Sequence, residues 1–199
     1  MKKLDKQIKY HFFHWGPFLY KTLLDKKEIE SIKKLCSKKT KDYRPNLAGL
    51  LRHEHIIDVK KMFPIIAPYF HSYSRAFTDY SGKHLGTKIE LVSCWVNYMT
   101  KFESNPIHTH DDDLSFVIYI NIPKELKIEN NKCKANANPG SINFIISLTD
   151  TRKDQIINQQ TFMPELGDFF IFPASLNHYV NHFQSEGERI SISGNLKIK

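Results

Sequence analysis

The chain has 199 residues, of which 41% are hydrophobic and 25% charged, with 29 Lys and Arg against 21 Asp and Glu for a formal net charge of +8. These proportions exclude a disordered, collagenous or low-complexity chain and fit one globular domain. No apolar run approaches the roughly 18 residues of a membrane span, and residues 1–24 carry no small-residue cleavage site, so a cytoplasmic protein with no membrane contact is expected.

Basic residues concentrate in 2–41. A solvated helix face accounts for them at least as well as an acidic partner does, so nucleic acid is only weakly supported. The helical signal begins at Asp25, a capping carboxylate followed three residues later by Glu28. Ile29, Ile32, Leu35 and Cys36 then share one face. Residues 40–46 read as a loop. Arg52-His53-Glu54-His55 reads as surface or helix-cap residues ahead of a second helix. That helix is predicted from Val59, Met62, Phe63, Ile66, Phe70, Tyr73, Phe77 and Tyr80, spaced mostly by three and four. It would be entered or kinked at Pro64 and Pro68 and end before Ser81-Gly82.

From residue 88 the pattern changes to short β-rich runs at 89–99, 114–122, 141–148, 159–163, 168–172, 178–183 and 189–196. Seven strands in about 110 residues, with no helical pattern between them, predict an antiparallel sandwich or small barrel. The polar stretches 130–140 and 149–158 connect strands. The expected organisation is a single domain over 1–199, with a mainly helical support (1–87) and a β core (88–199). Cys36, Cys94 and Cys133 are odd in number and unclustered, which argues against a disulfide framework or a thiolate zinc site.

The histidines carry the chemistry. His108-Thr-His110 lies just before the strand at 114–122, and in extended chain residues i and i+2 point to one side, so two imidazoles can reach one ion. His53 and His55 have the same spacing but no later partner. Gly167-Asp-Phe-Phe-Ile-Phe-Pro173 then delivers His178 to the mouth of the next strand. Beyond it, alternation places Arg189, Ser191 and Ser193 on one side, a guanidinium and hydroxyls suited to holding a carboxylate. Trp95 and Asn97 read first as packing and sheet-edge residues, with a substrate contact by Asn97 as the second reading. His182 reads as a neighbour of His178.

Tyr98 stands ten residues before His108, the strand Ser115-Phe-Val-Ile-Tyr119-Ile-Asn121 follows the histidine pair, and Arg189-x-Ser191 comes eleven residues after His178. In these three spacings 95–196 resembles the Fe(II)- and 2-oxoglutarate-dependent dioxygenases. The likeness is greatest to the prolyl-hydroxylase-like branch and to the small 2OG-Fe(II) oxygenases of marine phages and bacteria. The resemblance implies a double-stranded β-helix, a jelly-roll or cupin-like barrel backed by N-terminal helices. It further implies Fe(II) on the histidines, 2-oxoglutarate chelating that iron, and O2 as the oxidant of a hydroxylase. The distal carboxylate of 2-oxoglutarate would be held by Arg189, helped by Tyr119, Ser191 and Tyr98. For a phage-encoded chain the setting would be the host cytoplasm. The substrate is unspecified: a prolyl or other amino-acid residue, a protein or a small molecule all fit.

One departure matters. The usual ligand pattern is His-x-Asp/Glu with a distal His, and here His110 occupies the acid position. Either the site uses His108, His110 and His178, or the register slides so that Asp112 serves as the ligand. The Tyr98 spacing favours the first and neutralisation of the metal charge favours the second; Asp113 could also orient an imidazole. Two other readings compete. A cupin-type metalloprotein would use His-x-His and His178 without 2-oxoglutarate, but leaves Arg189-x-Ser191 unexplained. A non-enzymatic sugar- or nucleic-acid-binding β-sandwich would use the positive charge.

Overall fold

Short β-rich runs, the central ones buried on both faces, build two antiparallel sheets. The computed structural model describes residues 16–86, 88–133, 138–146 and 158–199. In chain order the elements are β1 (Tyr20–Leu23), α1 (Lys26–Lys33), β2 (His53–Ile56), α2 (Val59–Ser81), β3 (Ile89–Met99), β4 (Asn105–His108) and β5 (Leu114–Asn121). They continue with α3 (Lys124–Lys132), β6 (Ile142–Ile145), β7 (Gln159–Phe162), β8 (Asp168–Pro173), β9 (Asn177–Val180) and β10 (Arg189–Ile198). The larger sheet runs β1-β8-β5-β10-β3-β2 and the smaller β4-β9-β6-β7. The described strands thus form two separate sheets rather than one closed barrel.

Each strand of the large sheet sorts its side chains between two cores. Phe116, Ile118 and Ile120 of β5 and Phe169 and Ile171 of β8 face the helices, where they meet Met62, Ile66, Phe70 and Tyr73 of α2. The intervening Val117, Tyr119, Phe170 and Phe172 face the small sheet and pack with Ile142, Phe144 and Val180. This mainly β arrangement backed by helices is the one expected. Asp25 closes the predicted capping box on α1, its carboxylate accepting the Glu28 N–H while Glu28 accepts the Asp25 N–H. Asp58 caps α2, which is continuous through Pro64 and Pro68 and stops at Gly82 in a left-handed conformation, φ 68°.

Several elements differ from expectation. β1, β2 and β4 are strands of four residues, too short to show a period and held by their partners in the sheet. Strand β2 includes the His53-Glu54-His55 run that read as a helix cap. Helix α3 occupies a stretch that read as structureless; it has only one buried residue, Leu126, so its apolar stripe is faint. The strand expected at 141–148 is Ile142–Ile145, with 147 and 148 outside the described residues.

Much of the positive charge is met on the surface, where Lys21 pairs with Asp168, Lys38 with Glu188, Lys127 with Glu165 and Lys199 with Glu90. This agrees with a solvated surface rather than a basic binding face. No helix among the described residues is long and apolar enough to cross a membrane.

Gly194 shows how tightly the central strands are packed. It lies on β10 between Cys94 of β3 and Phe116 of β5. A Cβ there would fall 2.6 Å from the Phe116 ring and 2.6 Å from the Ser93 carbonyl. Gly194→Ala should therefore destabilise the fold by overpacking, by about 1–3 kcal/mol. Urea unfolding would register this as a lowered midpoint at unchanged slope.

Candidate metal centre

Strand pairing brings two of the histidines together. β4 and β9 are antiparallel neighbours in which His108 lies directly opposite His178, and their ring centroids are 4.2 Å apart. His110 lies just beyond β4, where its N–H donates to the Ala174 carbonyl at 2.9 Å. Its ring sits 5.0 Å from that of His108 and 5.2 Å from that of His178. One nitrogen from each of the three lies within 4.8 Å of the others, a donor set suited to a single divalent cation.

The imidazoles are also prepared electronically. Nδ1 of His108 lies 2.8 Å from the Pro106 carbonyl and Nδ1 of His178 lies 2.9 Å from the Leu176 carbonyl. A carbonyl only accepts, so each Nδ1 carries the proton and each Nε2 keeps its lone pair. Burial lowers all three affinities for a proton. His108 is held below its usual value, His110 falls to about 4 and His178 to about 3, with the neighbouring imidazoles adding to the effect on His110 and His178. The rings are therefore neutral ligands at physiological pH. Phe172 and Phe144 pack on His178, at 4.9 and 6.2 Å between centroids, and Trp95 packs on His110 at 5.8 Å.

Asp112 is not in the cluster, nor is any other carboxylate among the described residues. The chain from 110 to 113 is stitched down by its backbone, His110 and Asp113 exchanging hydrogen bonds with Ala174 and Asp113 donating to Leu196. Asp113 turns its carboxylate to the Ile198 N–H at 2.7 Å, so it does not orient an imidazole. Among the described residues it is His110, and not Asp112, that lies with His108 and His178.

A guanidinium faces the same cavity. Arg189 is 2% exposed, and among the described residues no carboxylate pairs with it. Its Nη2 donates to the Tyr119 hydroxyl at 3.1 Å, its carbon lies 4.7 Å from the Tyr119 ring centroid, and Nε has no partner. A buried cation with an unfilled donor is costly unless an anion completes it. Burial lowers the Arg189 proton affinity, and Tyr119 opposes that shift. Ser191 and Ser193 line the cavity beside it, and their hydroxyls accept hydrogen bonds from Asn97 at 3.3 and 3.1 Å.

Tyr98 is not brought to the cavity. It lies opposite Ile190, whereas Met99 lies opposite Arg189 and Asn97 opposite Ser191. Strand alternation therefore turns Tyr98 to the helix-side core, under the Lys38 ammonium at 4.7 Å. Trp95, Asn97 and Met99 take the cavity side instead. Sequence reasoning also missed Glu54, a buried carboxyl lining the same cavity opposite Asn97. The detectable signal was alternation in 53–56, which on a strand places Glu54 on the other face from the two histidines.

The model of the family described as "Putative 2OG-Fe(II) oxygenase" matches residues 93–195, just over half of the chain and the stretch containing all three histidines and Arg189. No curated protein matches the sequence. Among solved structures, a Pseudomonas putida prolyl-4-hydroxylase is similar with a TM-score of 0.58 at 14% identity, over 91% of this chain and 92% of that one. The viral collagen prolyl hydroxylase of Paramecium Bursaria Chlorella virus-1, in a 2OG complex, is similar with a TM-score of 0.53 at 12% identity, over 91% and 96%. HygX from Streptomyces hygroscopicus, with nickel and 2-oxoglutarate bound, gives 0.56 at 11% identity, over 90% and 82%. At such identities the likeness is one of fold, the double-stranded β-helix of two antiparallel sheets. The family match favours the oxygenase over the cupin and simple binding-protein readings, and with it the chain belongs to the 2OG-Fe(II) oxygenases, enzymes dependent on iron, 2-oxoglutarate and dioxygen.

Proposed function

We propose that the chain acts as one domain that hydroxylates a C–H bond, with Fe(II) held by His108, His110 and His178 and 2-oxoglutarate held by Arg189. The observation that carries this is the pairing, in one cavity, of three neutral imidazoles with a buried guanidinium that has no carboxylate partner among the described residues. With iron and 2-oxoglutarate bound, dioxygen would be the oxidant, taking two electrons from the decarboxylating keto acid and two from the C–H bond that is hydroxylated, with one oxygen atom going to each. The donor set fits Fe(II), since imidazole nitrogen is a suitable ligand and three facial donors leave positions open. With no carboxylate among them, the ligands are one charge more positive than in a two-His, one-carboxylate site, which strengthens attraction for an anionic co-substrate.

The chain's own groups divide the remaining work. Pro106 and Leu176 carbonyls hold the ligand tautomers. Arg189 offers Nε and a second donor to a carboxylate, and Tyr119, having accepted from Arg189, has its own O–H free to donate to the same anion. Ser191 adds a hydroxyl on the same face of β10. Phe172, Val117, Ile142 and Val180 line the cavity and exclude water. An amino-acid or peptidyl substrate, including a prolyl residue, is one class within this reading.

The test is an anaerobic titration of the metal-free protein with Fe(II) and then 2-oxoglutarate, following the visible charge-transfer band of the chelated keto acid. The band should form in the wild type and in Asp112→Ala and vanish in His110→Ala and His178→Ala. A band retained in His110→Ala would overturn the three-histidine site. Arg189→Ala should weaken 2-oxoglutarate by the loss of charge-assisted hydrogen bonds, about 3 kcal/mol, or roughly 100-fold. Arg189→Lys should recover little of this, because a point charge does not reproduce the planar fork. Unchanged 2-oxoglutarate affinity in Arg189→Ala would remove the anchor from the scheme.

A further inference from the structure

Glu54 has no part in holding iron or 2-oxoglutarate, yet its side chain lines their cavity. It is 1% exposed, and Oε2 has no hydrogen-bond partner. Among the described residues the arginine whose charge reaches it is engaged elsewhere. The Arg44 guanidinium is bound by Asp42, with Nη2 to Oδ2 at 2.6 Å, and Arg52 lies against Glu103 at 3.6 Å. Burial pushes the Glu54 carboxyl up to about 7, with Asp42 and Glu103 adding to the shift and Arg44 opposing it. From outside, Gly49 presses close: a Cβ there would come 3.0 Å from Oε1.

The neighbouring polar groups are short of donors as well. Asn97, directly opposite Glu54, gives Nδ2 to Ser191 and Ser193 and is left with a buried, unpartnered Oδ1. Asn105 Oδ1, on β4 beside the imidazoles, is buried and unpartnered too. Three acceptors in one cavity lack hydrogens, and one of them is a carboxyl. A ligand that satisfies them brings N–H donors, and next to a desolvated carboxylate a positive charge on that nitrogen gives the stronger bond. The guanidinium of Arg189 reserves the other part of the cavity for an anion.

We propose that Glu54, with Asn97 and Asn105 as supporting acceptors, binds a protonated nitrogen of the substrate, so that the enzyme acts on a cationic amine or guanidine. This rests on the oxygenase reading of the cavity. The carboxylate supplies the counter-charge and the two amides supply hydrogen-bond acceptors, while Arg189 and the metal repel the same cation from the keto-acid end.

The experiment uses protein loaded with Ni(II) and 2-oxoglutarate and measures binding calorimetrically for two matched pairs of probes whose α-amines are blocked, Nα-acetyl-L-arginine against Nα-acetyl-L-citrulline and Nα-acetyl-L-lysine against Nα-acetyl-L-norleucine. The cation of at least one pair should bind about tenfold or more tighter than its neutral partner, a difference of about 1.4 kcal/mol. The preference should collapse in Glu54→Gln. Equal binding within both pairs, preference surviving in Glu54→Gln, or no measurable binding of either cation overturns the proposal. Titrating 2-oxoglutarate in parallel separates the two readings. If it binds and no cation is preferred, Glu54 loses its role and the oxygenase site stands. If it fails to bind while the preference holds, the cavity is a cation site and the substrate assignment falls with the oxygenase reading.

A second measurement needs no ligand. A carboxyl whose affinity for a proton is raised by folding stabilises the fold below its unfolded value of 4.5 and loses that contribution as pH rises through about 7. Glu54→Gln should therefore gain stability relative to the wild type as pH rises from about 4.5 to 8 in urea unfolding. A difference independent of pH would show that the carboxyl is satisfied in the fold and would overturn its availability to a cation.

Discussion

The pairing of β4 with β9 is the constraint on which the site depends. Two four-residue strands place His108 opposite His178, and side chains on paired strands alternate strictly, so a slip of one residue would send one imidazole to the opposite face. Pro106 interrupts the ladder between Asn105 and His108, where the register shifts. The pairing is secured from β6, which adds to the far side of β9 and contributes Phe144 behind His178. The same apolar packing has an electrostatic effect. It denies solvent to the rings and leaves them neutral, which is the form that can donate a lone pair.

Charge in the cavity is arranged along β3. Trp95 packs on His110, Asn97 faces Glu54 and Met99 lies beside Arg189, so three residues at steps of two mark the imidazole, amide and guanidinium regions. Among the described residues neither Arg189 nor Glu54 forms an ion pair, although the charge of Arg44 opposes the upward shift of Glu54, and burying such groups is costly to the unliganded protein. Arg44, whose charge acts on Glu54, is itself bound to Asp42, and Arg52 lies against Glu103. Glu103 is fixed further by backbone N–H groups of Arg52 and Thr100 at 2.9 and 2.7 Å. The surface pairs thus keep the buried carboxyl free of an internal cation.

Features encoded by local periodicity were legible in the sequence. α2 shows its apolar stripe over 23 residues, β3 its alternation over 11, and the capping box of α1 its two carboxylates. The His-x-His pair and Arg189-x-Ser191 were legible for the same reason, since residues two apart in extended chain share a face. What was not legible depends on pairing between distant segments. Tyr98 was placed by its distance from His108 along the chain, but its side is decided by its pairing opposite Ile190. β1, β2 and β4 exist because longer strands hydrogen-bond to them, and four residues are too few to carry a period. Glu54 was overlooked for this reason: the alternation in 53–56 that turns it away from the two histidines applies only once those four residues are known to be a strand.

A two-signed cavity has a consequence for selectivity that a neutral one would lack. Two small ligands must occupy it together, and both 2-oxoglutarate and an amino-acid-like substrate can carry carboxylates. Were Arg189 the only charge, either could take its place. Glu54 repels a carboxylate from its own side, and Arg189 repels a cation from the other, so the sign of charge sorts the two ligands before shape does. With His110 as the proposed third ligand this division is sharper: the donor set carries no charge, and the carboxyl of the cavity, Glu54, is outside the cluster of nitrogen donors. Attraction for the keto acid and attraction for a cationic substrate would then arise from different parts of one cavity, each end repelling the ligand that belongs to the other.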